Sequence, residues 1–148
     1  MQRFNIMAGL VAFAVAIVFA TYSDAQPLKR YKWRNRPLVV FTGDKASADF
    51  VAQKRIINAH IAGLRERDMI VIEVVGNDVA TRLGAGARVT AGALRRYYGV
   101  KQSQFRAILI GKDGGSKLQS SKPIHADRLF SLIDSMPMRR QEVRNQSQ

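Results

Sequence analysis

With 148 residues the chain has room for one packed domain, and 24 Lys and Arg against 11 Asp and Glu give it a formal charge of +13, so electrostatics selects anionic partners. The absence of cysteine excludes disulfide staples, thiol nucleophiles, dithiol redox chemistry and cysteine metal centres together.

The N-terminus has the grammar of a secretory leader. Arg3 supplies a short basic start, residues 6–20 form an uncharged apolar run, and Ser23 and Ala25 are small residues at the −3 and −1 positions of a peptidase site. The run is shorter than the roughly 20 residues a helix needs to cross a bilayer. Cleavage after Ala25 is expected, with no transmembrane span remaining; the alternative is an uncleaved N-terminal anchor, and in either case the domain is expected outside the cytoplasm. Removing Arg3 and Asp24 takes one charge of each sign and leaves the net +13 intact. The expected location is periplasmic or secreted.

Residues 26–37 are polar, basic and aromatic, carrying Tyr31, Lys32, Trp33, Arg34 and Arg36. Pro37 then opens the run Leu38, Val39, Val40, Phe41, a short valine-rich stretch that reads as a buried strand. Phe50, Ile57, Ile61 and Leu64 share one helical face, which predicts a helix over 49–66 capped by Ser47 or Asp49. Residues 69–75 are almost unbroken β-branched chain, the pattern of a strand covered on both faces. Strand, helix, strand implies a right-handed parallel crossover.

Residues 78–89 contain Gly84 and Gly86, show no clear period and read as a loop. A shorter helix is predicted over 91–98 with Gly99 as its stop, then a strand over 107–110. Asp113-Gly114-Gly115 supplies a hairpin turn, and 117–120 returns as a fourth strand. Leu129, Leu132, Ile133 and Met136 recur at helical spacing with Asp127 in the first turn, and Pro137 should break that helix and begin a short redirected one over 138–144. Residues 145–148 read as a disordered tail. The resulting order is β-α-β-α-β-β-α. It predicts a thioredoxin-like α/β three-layer sandwich with a mixed four-stranded sheet, the domain proper spanning 38–144.

Four local patterns carry a family resemblance: Tyr31 to Arg36 before the first strand; Glu66-Arg67-Asp68-Met69 leading into the second; Leu109 to Gly115 through the hairpin; and Leu132 to Glu142, containing Met136-Pro137-Met138-Arg139-Arg140. The chain resembles the family called domain of unknown function 4174 over about residues 28–144. That resemblance implies short exported bacterial proteins, similarity to a domain of secreted animal sushi-repeat and matrix-associated proteins, and a peroxiredoxin-like thioredoxin fold. It implies no catalytic residues.

In thioredoxin-like enzymes the redox cysteines lie between the first strand and the first helix. Here that stretch is Thr42-Gly43-Asp44-Lys45-Ala46-Ser47, and a hydroxyl cannot form a disulfide. It reads as a turn and a helix cap. Glu73 is a carboxylate inside an apolar strand; it needs an arginine partner or a raised pKa, and only the second outcome would make it a general acid. His60 and His125 are too far apart to suggest a metal pair, and Gly84 and Gly86 lack the third glycine of a dinucleotide loop, so neither cofactor nor metal is expected.

Three basic clusters remain: residues 29–36, Arg95-Arg96 beside Tyr97-Tyr98, and Arg139-Arg140 with Arg144. Arginine beside aromatic rings suits single-stranded nucleic acid, but an exported chain seldom meets it, so lipid phosphates, acidic glycans or an acidic protein are the expected anions. The plainest account of the clusters is a solvated surface that confers solubility. Together these features predict an exported, non-catalytic binding or envelope module whose anion- or partner-binding residues are Arg95, Arg96, Arg139, Arg140 and Arg144. The competing reading is a cysteine-free enzyme using Glu73 with a base such as Lys45.

Overall fold

The computed structural model describes residues 26–148, and the expected leader lies outside them. Five strands form one mixed sheet: β1 Arg36–Thr42, β2 Met69–Val75, β3 Asp78–Leu83, β4 Arg106–Ile110 and β5 Ser116–Ser120. Their order is β3-β2-β1-β4-β5. β1 and β2 run parallel, with Arg36 opposite Met69 and Thr42 opposite Val75, and the other three pairings are antiparallel. The expected parallel pair and hairpin are therefore present.

The sheet has five strands where the sequence suggested four, because residues 78–83 are not a loop. They return antiparallel to β2 after a turn in which Gly76 has a φ of +56°. As an edge strand, β3 alternates exposed and half-buried positions, so it lacks the apolar run that marks a central strand. The turn's positive φ suits glycine.

Side chains alternate across the sheet and divide the core in two. Leu38, Val40, Val71 and Leu109 face one layer, made by α1 Ala48–Ala59, α2 Ile61–Glu66 and α4 Ala126–Ser135, through Phe50, Ile57, Leu64, Leu129 and Ile133. Val39, Phe41, Ile72, Val74 and Ile108 face the other, made by α3 Ala91–Tyr98 and the 3-10 turn Lys29–Tyr31, through Leu94, Leu28 and Tyr31. Burial of both faces explains the unbroken apolar runs of β1 and β2.

The single helix expected over 49–66 is two. His60 leaves helical geometry at φ −128°, its N–H turns to the carbonyl of Ile57, and its ring Nδ1 lies 2.8 Å from the carbonyl of Ile56. The side chain thus takes the place the backbone amide would have held. The break re-aims α2 so that Gly63 meets Phe130 of α4, where an added Cβ would lie 2.8 Å from the ring.

At the C-terminus, α5 spans Pro137–Gln146 with proline in its first turn. It continues two residues beyond position 144, so the expected tail is partly helical. α3 ends as expected, Gly99 adopting the left-handed conformation at φ 65°.

Ile133 is fully buried between α4 and the sheet. Ile133→Ala is expected to lower unfolding free energy by roughly 2–5 kcal/mol in urea denaturation, the range for emptying a well-packed core site. A change below about 0.5 kcal/mol, typical of surface positions, would mean that α4 presents another face to the core.

Candidate functional site

At the C-terminal end of β1, where a redox pair would stand, Thr42 is buried and its Oγ1 lies 3.0 Å from Ser47 Oγ. Thr42 Oγ1 also donates to the carbonyl of Asp44 at 2.8 Å, and the Asp44 N–H donates back to that oxygen. The loop is a self-satisfied hydroxyl turn. It borders an open cleft of about 680 Å³ that also takes in Gln102, Ser103 and Lys122.

Arg95 was expected on a binding surface, and the structure withdraws it. Only 7% exposed, it donates to the carbonyls of Gly76, Lys101 and Thr42, with Nη2 2.8 Å from Thr42 O, and its guanidinium lies 5.6 Å from the Phe41 ring centre. Burial holds its pKa below the ordinary arginine value. Arg95 thereby ties the ends of β1 and β2 to the loop before β4. Arg96, one residue on, is exposed.

Glu73 faces the α1 side of the sheet and accepts hydrogen bonds from Nε and Nη2 along one edge of the Arg82 guanidinium. The register shift in β3 places Leu83 opposite Val71 and Thr81 opposite Ile72, which makes Arg82 the extra residue of a bulge. The weak alternating pattern of β3 carries no local signal for a strand, so the partner's position is not legible from the sequence. Glu73 and Lys45 lie outside the cleft beside Thr42.

The densest charge cluster lies at the opposite end of the sheet, and the sequence reading did not single it out. Arg36, 1% exposed at the start of β1, makes a bidentate pair with Glu142 of α5 at 3.0 and 3.2 Å and donates to the carbonyl of Arg67. Lys112, just after β4, bridges Asp68 and Glu142 at 2.7 Å each. Arg139 is 2% exposed; it pairs with Glu66 at 2.8 Å and Asp134 at 3.4 Å, and Arg67 holds Asp134 at 2.7 Å.

Arg139 is therefore a structural residue, contrary to its expected place in an anion-binding patch. Pro137 does redirect the chain, but the redirected turn drives Arg139 inward. Arg140 stays exposed while donating to the carbonyl of Ser135 at 2.8 Å, and Arg144 is exposed with no carboxylate partner among the described residues. A cleft of about 490 Å³ between α2 and α5 includes Glu66, Asp134, Arg140 and Arg144. Its wall carries both signs of charge.

Burial is the largest single effect on Glu142 and opposes its charged form. Hydrogen bonds and charges from Arg36 and Lys112 together outweigh it and hold the carboxyl below its ordinary range. Asp134 is lowered chiefly by its hydrogen bonds from Arg67. Among the described residues no group of three His, Cys, Asp or Glu is placed to hold a metal. His60 packs edge-on to Phe130, and His125 is exposed at the start of α4.

The N-terminal segment presents the other unforeseen feature. Trp33 is 62% exposed and has a φ of 65°, a strained conformation for a bulky residue. Its N–H donates to the carbonyl of Lys112 at 2.6 Å, and Lys32 Nζ lies 5.1 Å from its ring centre. Lys29, Arg30 and Arg34 around it are exposed. Composition had marked this segment as basic and aromatic; only the backbone shows that the indole is held outward.

A parallel pair extended by an antiparallel hairpin, with helices on both faces, defines a thioredoxin-like α/β domain whose redox position holds hydroxyls. The chain belongs to the DUF4174 family, described as a domain of unknown function, which matches residues 27–142. It is 26% identical over 134 aligned residues to coiled-coil domain-containing protein 80 of Danio rerio, covering 78% of this chain but 15% of that protein. Among solved structures it resembles thioredoxin peroxidase I of Plasmodium yoelii, with a TM-score of 0.56, 14% identity and 77% and 79% of the two chains covered. It also resembles the reduced 2-Cys peroxiredoxin of Plasmodium vivax, with a TM-score of 0.53, 15% identity and 78% and 84% covered. At those identities the likeness establishes the fold.

The lowered Glu142 and Asp134 carboxyls stabilise the folded chain above the ordinary carboxylate pKa, and that contribution is lost as pH falls through the lowered folded values. Melting temperature is expected to drop steeply below about pH 4, the ordinary range for these groups. Glu142→Gln should be less stable at neutral pH, by about 3 kcal/mol for an uncompensated buried Arg36, and should show a shallower acid loss. Calorimetry from pH 7 to pH 3 checks both; parallel pH profiles for parent and variant would remove Glu142 from this role.

Proposed function

We propose that the chain is an exported, non-catalytic thioredoxin-like binding module that engages an anionic partner in the cell envelope or exterior through exposed cations of its N-terminal segment. What supports export is the leader pattern of residues 1–25. The observation that carries the binding reading is the division of charge. Among the described residues the carboxylates other than Asp44, Asp78 and Asp127 are engaged by Lys or Arg, whereas Lys29, Arg30 and Arg34 have no carboxylate partner. The net positive charge therefore resides on the surface. Around Trp33 it is joined by an exposed aromatic ring.

Arg96 and Arg144 extend the positive field but stand on other elements. A thioredoxin-like fold does not by itself bring thioredoxin chemistry, since activity belongs to the residues of a site. Exchange needs a thiolate to attack a disulfide, and this chain has none. An ion-paired Glu73 gives the catalytic reading no support.

The test is a titration of the mature domain against heparin, anionic vesicles and single-stranded DNA at low and physiological salt. Binding to at least one anion is expected to weaken steeply with salt, because charge pairing and counterion release supply the favourable term. Replacing Lys29, Arg30, Trp33 and Arg34 by Ala should lower affinity at least tenfold and flatten the salt slope, with the melting temperature nearly unchanged. If the parent binds none of the three, the basic surface serves only solubility. Intact mass of the exported protein should start at Gln26; retention of Met1 would overturn the processing.

A further inference from the structure

Trp33 is the chain's single tryptophan and, among the described residues, its most exposed large apolar side chain. Lys29, Arg30, Lys32 and Arg34 flank it, no acidic residue occurs from Gln26 to Gly43, and among the described residues none of these four cations has a carboxylate partner. We infer that this segment docks on a bilayer containing anionic phospholipid, with the Trp33 indole seated among the headgroups and the flanking cations on lipid phosphates. The inference rests on the reading of the N-terminal cations as an anion-binding surface and names the anion.

The segment's other large apolar groups have gone into the core. Leu28 and Tyr31 are buried, so packing has left its largest ring outside. Hydrogen bonds fix the backbone around that ring. The Trp33 N–H donates to the carbonyl of Lys112, the Arg34 and Asn35 N–H groups donate to the carbonyl of Tyr31 at 3.0 and 2.9 Å, and the Tyr31 hydroxyl donates to the carbonyl of Ala85 at 2.9 Å. Trp33 is thereby kept at φ 65°, a conformation that glycine holds without strain. A tryptophan at such a position adds little to the core and leaves its surface to a partner. Because the backbone is already ordered, docking loses little conformational freedom.

The combination of one indole with unpaired cations selects a bilayer among the possible anions. Tryptophan joins an apolar body to an N–H donor and concentrates at membrane–water interfaces, while neighbouring Lys and Arg gain from the negative potential of anionic lipid. The Lys32 Nζ lies 5.1 Å from the indole centre, so its aliphatic stem accompanies the ring while its ammonium remains at phosphate level. Single-stranded nucleic acid uses successive rings as stacking platforms, but Tyr31 is buried and the Lys32 ammonium already lies over the Trp33 ring. An acidic glycan would engage the cations and leave the indole's apolar surface without a role. A stable protein interface needs about 800 Å² from each partner, more than the short run from Lys29 to Arg34 presents.

Because Trp33 is the chain's single tryptophan, intrinsic fluorescence reports on this position alone. The test uses the chain from Gln26 onward, which holds the whole described fold, with vesicles of equal parts phosphatidylglycerol and phosphatidylcholine, vesicles of phosphatidylcholine alone, and heparin. Emission is expected to move to shorter wavelength on the anionic vesicles and to be quenched by lipids brominated on their acyl chains, with neither change on heparin. Phosphatidylcholine alone should bind at least tenfold more weakly, since the charge term is then missing. Trp33→Gly relieves the positive φ, so its melting temperature should not fall, yet its affinity for anionic vesicles in a sedimentation assay should drop at least tenfold while heparin binding is retained. Unchanged emission on bound anionic vesicles, a folded Trp33→Gly binding them like the parent, or binding to heparin but not to vesicles would each overturn the bilayer inference and leave the anion-binding reading standing. Binding to neither vesicles, heparin nor single-stranded DNA would overturn both.

Discussion

Arg36 imposes the constraint on which this end of the molecule depends. It opens the central strand with a guanidinium that is 1% exposed, and a charge in that position requires a counter-charge and filled hydrogen bonds. The counter-charge comes from Glu142, 106 residues further along the chain. α5 must therefore return to the start of β1. Once there, Glu142 also receives Lys112, Lys112 reaches Asp68 at the head of β2, and Arg139 reaches Glu66 of α2 and Asp134 of α4. One ionic network thus joins three helices to the N-terminal ends of both parallel strands. Removing Glu142 leaves the buried Arg36 without its counter-charge, which is why such a pair is costly to break even where it adds little net stability.

That network also shapes a cleft of about 200 Å³ between the β4–β5 hairpin and the α4–α5 junction. Pro137 turns the chain between α4 and α5, Arg139 pulls the new helix inward, and the residues left around the turn are Leu132, Met136, Pro137 and Met138. The charged latch supplies the polar side of the cleft, and the junction it creates supplies the apolar one. At the other end of the sheet a different device closes the strand termini. Arg95 donates to the terminal carbonyls, and Thr42 and Ser47 hydrogen-bond where thioredoxin-like enzymes keep sulfur. The fold retains its architecture while its customary reaction position is occupied by local hydrogen bonding. Fold and function are separable here in a concrete sense.

Much was legible from residue order because it depends on local physics. The valine and isoleucine runs of β1 and β2, the helical spacing of Leu129 and Ile133, the stop at Gly99 and the proline restart at residue 137 are set by backbone preference and periodicity. The absence of cysteine removed thiol chemistry without any coordinates. Glu73 stood out because a carboxylate in an apolar strand needs a partner.

Which partner it has, and which arginines face water, only tertiary structure decided. Arg82 reaches Glu73 through a bulge in an edge strand whose alternating pattern is too weak to announce itself. Arg95 and Arg96 are adjacent, as are Arg139 and Arg140, yet in each pair one is buried and its neighbour exposed. Adjacent helical positions point about 100° apart, so whether a basic cluster forms one surface depends on how its helix is seated. For α5 the seating is settled by Glu142 meeting Arg36 across nearly the whole chain, a long-range electrostatic requirement that no local window of sequence contains.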